Sequence, residues 1–289
     1  MAKKTQSKNA LAFIFATVVL DTIGIGIIFP IMPDLLSDLG YNNIAEAAMW
    51  AGFLSACYAF MQFLFSPIIG TISDAFGRRR IILVALLAMC VDYMILGFSG
   101  ALWVLFVGKL VAGITGSTIP TATAYLADIS SEKERAKNFG LIGAAFGIGF
   151  IFGPLIGGLL GEISPRAPFF MSAFLAGMNF LFGFFVLPES LPINRRRGIS
   201  LMDLNPFRSL IKVFANESFR IIFLCIFLVQ IGNWVYPSVW SFWAKANFSW
   251  TTSMIGVSLA AYGVGIAFVQ GVVIRHKKIE NFGPRKVII

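Results

Sequence analysis

The 289 residues are 57% hydrophobic and 13% charged, whereas an ordinary soluble domain is about 25% charged, so this chain cannot cover a soluble surface. Its net charge of +9 would suggest nucleic acid in a soluble protein, but 20 of the 23 Lys and Arg fall in the N-terminal tail or in alternate loops between uncharged runs. That placement is the positive-inside pattern of a membrane protein with a cytoplasmic N-terminus, and it gives no reason to invoke a nucleic-acid partner.

In chain order, Lys3, Lys4 and Lys8 precede an apolar run that superficially resembles a signal peptide. The run is too long, contains Asp21 and lacks a small-residue cleavage site, so it reads as a first span. Uncharged runs then recur along the whole length, each sufficient to cross about 30 Å of hydrocarbon as a helix. In lipid every backbone polar group must be satisfied within its own segment, which requires helices, and the short alternating segments of a membrane barrel are absent. The expected fold is all-α, a polytopic membrane helix bundle, with eight spans near 9–33, 48–70, 81–97, 101–127, 139–160, 167–187, 220–242 and 252–274. Gly24, Gly26, Pro30 and Pro33 would let the first span bend or break.

The organisation follows from the loops. Residues 1–190 form a six-helix bundle, residues 191–218 a basic cytoplasmic linker with Arg195, Arg196 and Arg197, and residues 219–289 an incomplete second bundle of two spans and the start of a third. An internal repeat supports this division. DAFGRRRII at Asp74–Ile82 lies over ENFGPRKVI at Glu280–Ile288, acid, Phe-Gly, bases and apolar restart coinciding. A six-span first half implies a six-span second, so twelve spans are expected and the chain stops about 100 residues short of them.

Several residues inside the spans carry chemistry. Asp21 and Asp92 sit mid-span, where a charge costs about 3 kcal/mol on insertion scales, so each should face a polar cavity or a partner. A carboxyl withdrawn from water can hold a proton. Lys109 is the only base within a span and, beside such an acid, could tune its proton affinity. Gln62 is a lone amide in the second span, equally suited to orienting a ligand or to joining two helices. Gly149, Gly153, Gly157 and Gly161 recur every four residues and clear one helix face for a neighbour, with Pro154 adding a bend. At the cytoplasmic face, Asp74 and Arg78 can pair across the ends of spans two and three. Asp128 closes span four, Ser131 and Glu134 fit a capping box, and Arg135 lies alongside, so a charge network between these two loops is plausible. Cys57, Cys90 and Cys225 read as buried small hydrophobes. No nucleophile–base pattern, metal cluster or phosphate loop is present in context, which argues against an enzyme and against a resident metal or cofactor.

These residues resemble a known family. GTISDAFGRRR is similar to the loop signature of the major facilitator superfamily, FVGKLVAGITGST with AYLADIS to its fourth-span signature, and GIGFIFGPLIGG to its fifth-span antiporter motif. DTIGIGIIFPIMPDLL, YAFMQFLFSPIIG, DYMILGFS and GEISPRAPFF resemble the tetracycline–proton antiporters of its drug:proton branch. The resemblance implies that Asp21, Asp92 and Lys109 serve proton coupling, that Asp74, Gly77 and Arg78, with Asp128 and Arg135, form a gating loop, that Gln62 and Gln270 face substrate, and that Gly149, Gly153, Pro154, Gly157 and Gly158 make the antiporter bend. The sequence departs from the pattern at Lys109, where the family has Arg, at Ala75, where a base is usual, and at Ile266, where many members have His.

The resemblance further implies a secondary transporter of the bacterial inner membrane. It would export a drug-like amphipathic compound, tetracycline or its divalent-cation complex, in exchange for protons. Its partners would be the bilayer, the small-molecule substrate and protons. The alternatives are a transport-inactive truncated membrane protein and a transporter of a different small solute.

Overall fold

The structure is a computed structural model that describes residues 2–116, 118–199, 204–207, 211, 214–215 and 217–269, without the side chains of 2–9, 136 and 217–219. It is built of helices: α1 (Ala2–Asp38), α2 (Ile44–Phe76), α3 (Arg78–Gly97), α4 (Leu102–Thr115), α5 (Thr118–Ile129), α6 (Glu132–Ile163), α7 (Ala167–Val186), α8 (Glu217–Phe248) and α9 (Thr252–Phe268). Taking α4 and α5 as one span, seven of the described helical stretches are long and apolar enough to cross a membrane, and α9 is a shorter apolar helix. Gln270, His276 and the second copy of the repeat lie outside the described residues.

Local chemistry sets the helix ends. The Asn43 side chain accepts from the N–H groups of Ala45 (3.0 Å) and Glu46 (3.3 Å), satisfying two orphan donors at the start of α2. The Thr251 hydroxyl accepts from Met254 N–H at the start of α9. At α6 the expected capping box takes another form. The Ser131 hydroxyl donates to the Glu134 carboxylate (2.7 Å) and does not cap the backbone. Gly77 separates α2 from α3 with φ of 105°, a conformation that glycine adopts without steric cost.

Two expectations are corrected. The first span neither breaks nor ends at its prolines, and α1 continues unbroken past Pro30 and Pro33 to Asp38. Its glycines serve close packing instead. The fourth span is not one helix: it divides at Gly116 into α4 and α5. Pro120 supplies the reason, because it has no N–H for the carbonyl four residues earlier and its ring crowds that carbonyl.

α1 is the axis of the assembly. It buries Phe13, Ile14, Val18, Ile27, Ile31, Leu35 and Leu36 and packs along α6, with α5 and α7 on its other sides. Asn179 of α7 donates to Thr17 of α1 (3.1 Å), a buried polar tie between helices. Facing outward are large apolar side chains, among them Phe174, Phe182, Phe184 and Phe185 of α7 and most of α8, while Asp21, Asp92, Thr17 and Thr22 lie inside. That inversion of a soluble surface suits hydrocarbon surroundings. Cys225, expected to be buried, lies on the exposed face of α8.

Candidate functional site

The interior acids come from neighbouring helices. Asp21 on α1 is 7% exposed and Asp92 on α3 is 3% exposed. The Tyr93 hydroxyl, beside Asp92, occupies the space that a side chain at Gly24 would fill, three residues along α1 from Asp21. Asp92 itself lies against α4, where a Cβ on Gly108 would sit 3.0 Å from its Oδ1. That Oδ1 is buried and has no hydrogen-bond partner among the described residues. Lys109 follows Gly108 but does not pair with Asp92. Its ammonium lies 5.9 Å from the centroid of the Tyr58 ring on α2, within reach of the ring's negative face. Lys109 thus has an aromatic neighbour in place of an ion-pair partner among the described residues.

Pairing separates the acids into two groups. Asp34, Asp38, Asp74 and Asp128 each have a cation: Lys245, Arg166, and Arg78 for the last two. Asp21 and Asp92 form no ion pair among the described residues, although they are the most buried carboxylates. An unpaired acid at depth is costly, and such residues normally serve ion or proton pathways.

Gln62 does not point free into a cavity. Its amide nitrogen donates to the Gly116 carbonyl (2.8 Å) and to the Tyr58 hydroxyl (3.1 Å). The Gly116 carbonyl is the group that Pro120 leaves without a helical partner, so Gln62 completes the broken span. Gly113 permits this closeness, since a Cβ there would lie 2.6 Å from the Tyr58 carbonyl oxygen. Gln62→Leu should therefore destabilise the protein by about 1 kcal/mol, and Pro120→Ala in the same chain should recover most of that loss, because the carbonyl regains a helical donor. Thermal unfolding in detergent of the two single variants and the double checks this.

The glycine-rich stretch of α6 presents two faces. Gly149, Gly153 and Gly157 meet the backbone or side chains of Thr22, Ile23, Gly26 and Ile27 on α1. Gly158 meets Gly256 and Thr252 of α9, and Gly161 meets both Ile31 and Thr252. The sequence shows the first face; the second, belonging to the helix that follows the linker, is visible only in the structure. Pro154 leaves the Phe150 carbonyl without a donor, and Gly263 of α9 approaches that carbonyl.

Where α2 and α3 meet at Gly77, Arg78 bonds three groups: Asp74 (2.6 Å), Asp128 (3.1 Å) and the Ser73 hydroxyl (3.2 Å). The expected network between the two loops thus contains Asp74, Arg78 and Asp128. Arg135 is excluded from it; its exposed side chain makes no hydrogen bond or ion pair among the described residues. The network includes residues that the sequence reading missed. Glu189, just past α7, accepts from the N–H groups of Arg78 (2.9 Å) and Arg79 (3.5 Å), capping α3 from 111 residues away. Ser190 donates to Asp128 (3.2 Å), and Tyr125 donates to the Pro188 carbonyl (2.8 Å). A side chain on Gly77 would collide with Glu189 and Arg196, a second reason for glycine there. The only sequence signal for Glu189 is an acid directly after an apolar span.

A model of the Major Facilitator Superfamily matches residues 14–289. The tetracycline resistance protein, class C, of Escherichia coli is 40% identical over 284 residues, 98% of this chain and 71% of that protein. The class H tetracycline resistance protein of Pasteurella multocida is 34% identical over 97% of this chain and 70% of its own length. Among solved structures, the human organic anion transporter MFSD10 (TETRAN) superposes with a TM-score of 0.72 at 21% identity, over 92% of this chain and 72% of that one.

Proposed function

The chain belongs to the Major Facilitator Superfamily, and from that premise we propose that it is a proton-coupled exporter of tetracycline-like amphipathic compounds. The likeness to tetracycline resistance proteins along nearly its whole length supports the substrate class. The observation that carries the coupling is the contrast between paired and unpaired aspartates: Asp21 and Asp92 lie buried without an ion pair among the described residues, while four other aspartates have one.

In this reading Asp21 and Asp92 take up and release the exchanged protons, and Lys109, held over Tyr58, sets the field that Asp92 feels. Proton binding and substrate binding exclude each other. The two parts of the molecule then rock about the midplane to expose the site alternately. The network of Arg78 with Asp74 and Asp128, fixed by Glu189, gates the cytoplasmic face. The positive-inside pattern of the basic loops supports a cytoplasmic position for that face and the N-terminus, and the bacterial relatives support the inner membrane. Each charge moved gains about 2.3 kcal/mol per 100 mV.

The test is uptake of labelled tetracycline into inside-out vesicles energised by a proton gradient. Uptake should exceed that of protonophore-treated vesicles several-fold. Equal uptake with and without the protonophore would remove proton coupling, and no uptake by a correctly inserted protein would remove tetracycline as substrate.

A further inference from the structure

The face opposite the Arg78 network carries a second set of charges with no role in the transport reading above. α1 ends there at Asp38, α8 ends at Phe248, and α9 begins at Thr252. Asp34 of α1 uses both carboxylate oxygens: Oδ1 takes the Lys245 ammonium of α8, and Oδ2 takes the Thr252 hydroxyl of α9. The Asp34 and Lys245 side chains are 25% and 32% exposed, so the pair is neither fully solvated nor sealed. One acid thus ties the first helix of the chain to both helices that follow the linker.

Supporting contacts lie beside it. Glu162, at the end of α6, accepts the N–H of Ser253 (3.0 Å), placing a negative charge at the positive end of the α9 dipole. Ser253 donates to the Gly158 carbonyl (3.3 Å), and Gly158 and Gly256 meet backbone to backbone. The buried side chains of α8 are concentrated at this end. From Arg220 to Val235 it is exposed, whereas Pro237, Ser241, Phe242 and Ala244 are buried. α8 therefore packs most closely near Lys245, and further along Trp234 meets the Phe29 ring of α1 (6.4 Å) and the Phe150 ring of α6 (6.1 Å).

We propose that Asp34, Lys245 and Thr252 form an electrostatic latch that holds the extracytoplasmic face of the pathway shut, and that this latch must part once in every transport cycle. The proposal rests on the transporter reading above. A single carboxylate shared by a cation and a hydroxyl from two different helices gives two discrete arrangements, made or broken, as a rocking transporter requires. Breaking the pair by removing either charge strands the other in a half-buried site, whereas exchanging the charges restores the attraction. The sequence contains a hint, because Lys245 is one of only two bases, with Arg166, that follow an apolar run on the side away from the basic loops.

The test reads access from outside. Ser241 is 0% exposed, lies one turn before Lys245, and its hydroxyl has no partner among the described residues, so Ser241→Cys is a nearly silent reporter. A membrane-impermeant maleimide is added to intact cells, and modification of the peptide carrying position 241 is quantified by mass spectrometry. Asp34→Asn or Lys245→Met should raise the labelling rate by about 10-fold, and the exchange of Asp34→Lys with Lys245→Asp should return it to within about twofold of the parent. Thr252→Val, which keeps both charges, should give a smaller rise. Unchanged labelling in both single charge variants, or an exchanged pair that labels like the singles, would overturn the latch. Because labelling does not depend on transport, failure of tetracycline uptake leaves this result standing. The same pattern in inside-out vesicles and not in cells would keep the latch and reverse the membrane orientation.

Discussion

Asp21→Asn should reduce proton-driven tetracycline uptake to the level of protonophore-treated vesicles while the protein still inserts at parental abundance. Asn matches Asp in shape but cannot bind and release a proton, so only the exchangeable charge is lost. Selectivity for function over folding is expected because Asp21 has no ion-pair partner among the described residues, and its removal strands no buried cation. Asp92→Asn should behave alike, since its Oδ1 lacks a hydrogen-bond partner among the described residues and Lys109 is held by Tyr58. Arg78→Ala differs in kind, because it leaves Asp74 and Asp128 unpaired and loses stability as well as transport. Uptake measured together with membrane abundance separates these cases. Coupled uptake by Asp21→Asn would remove that residue from the mechanism.

Gly153→Ala should give a large loss of stability for a small change, a single methyl group. A Cβ at this position would lie 2.8 Å from the Ile23 carbonyl oxygen and 2.9 Å from the Gly26 Cα. Both obstacles are backbone, so no rotamer change relieves them and α1 and α6 must separate along their length. Overpacking of this kind costs about 1–3 kcal/mol. Gly147→Ala on the same helix is the control, because nothing lies within 4 Å of its Cβ, and it should stay within about 0.5 kcal/mol of the parent. Thermal unfolding in detergent of the two variants decides the matter. Equal midpoints would mean that the α1–α6 contact yields more easily than its geometry indicates.

The sequence alone determined seven of the eight expected spans, the fold class, and the presence of acids where acids are costly. The physical reason is that a bilayer imposes its requirements locally. Each segment must be apolar, long enough and internally hydrogen-bonded, and each of those properties can be read without knowing the neighbours. The glycine stripe of α6 was legible for the same reason, since a spacing of four defines one helix face. The division of the fourth span at Gly116 was within reach too, because Pro120 alone explains it.

Partnership was decided only by the tertiary structure. A span that is apolar all round carries no periodic signal to fix its rotation about its own axis, so sequence spacing cannot say which way Lys109, Gln62 or Asp34 points. Packing sent Lys109 to Tyr58, committed Gln62 to a carbonyl 54 residues away, left Arg135 exposed, and brought Glu189 to the start of α3. It also joined Asp34 to a lysine 211 residues further along the chain. Those long-range pairings turn a set of membrane helices into a molecule with two buried acids that have no ion pair among the described residues and a charge cluster at each end.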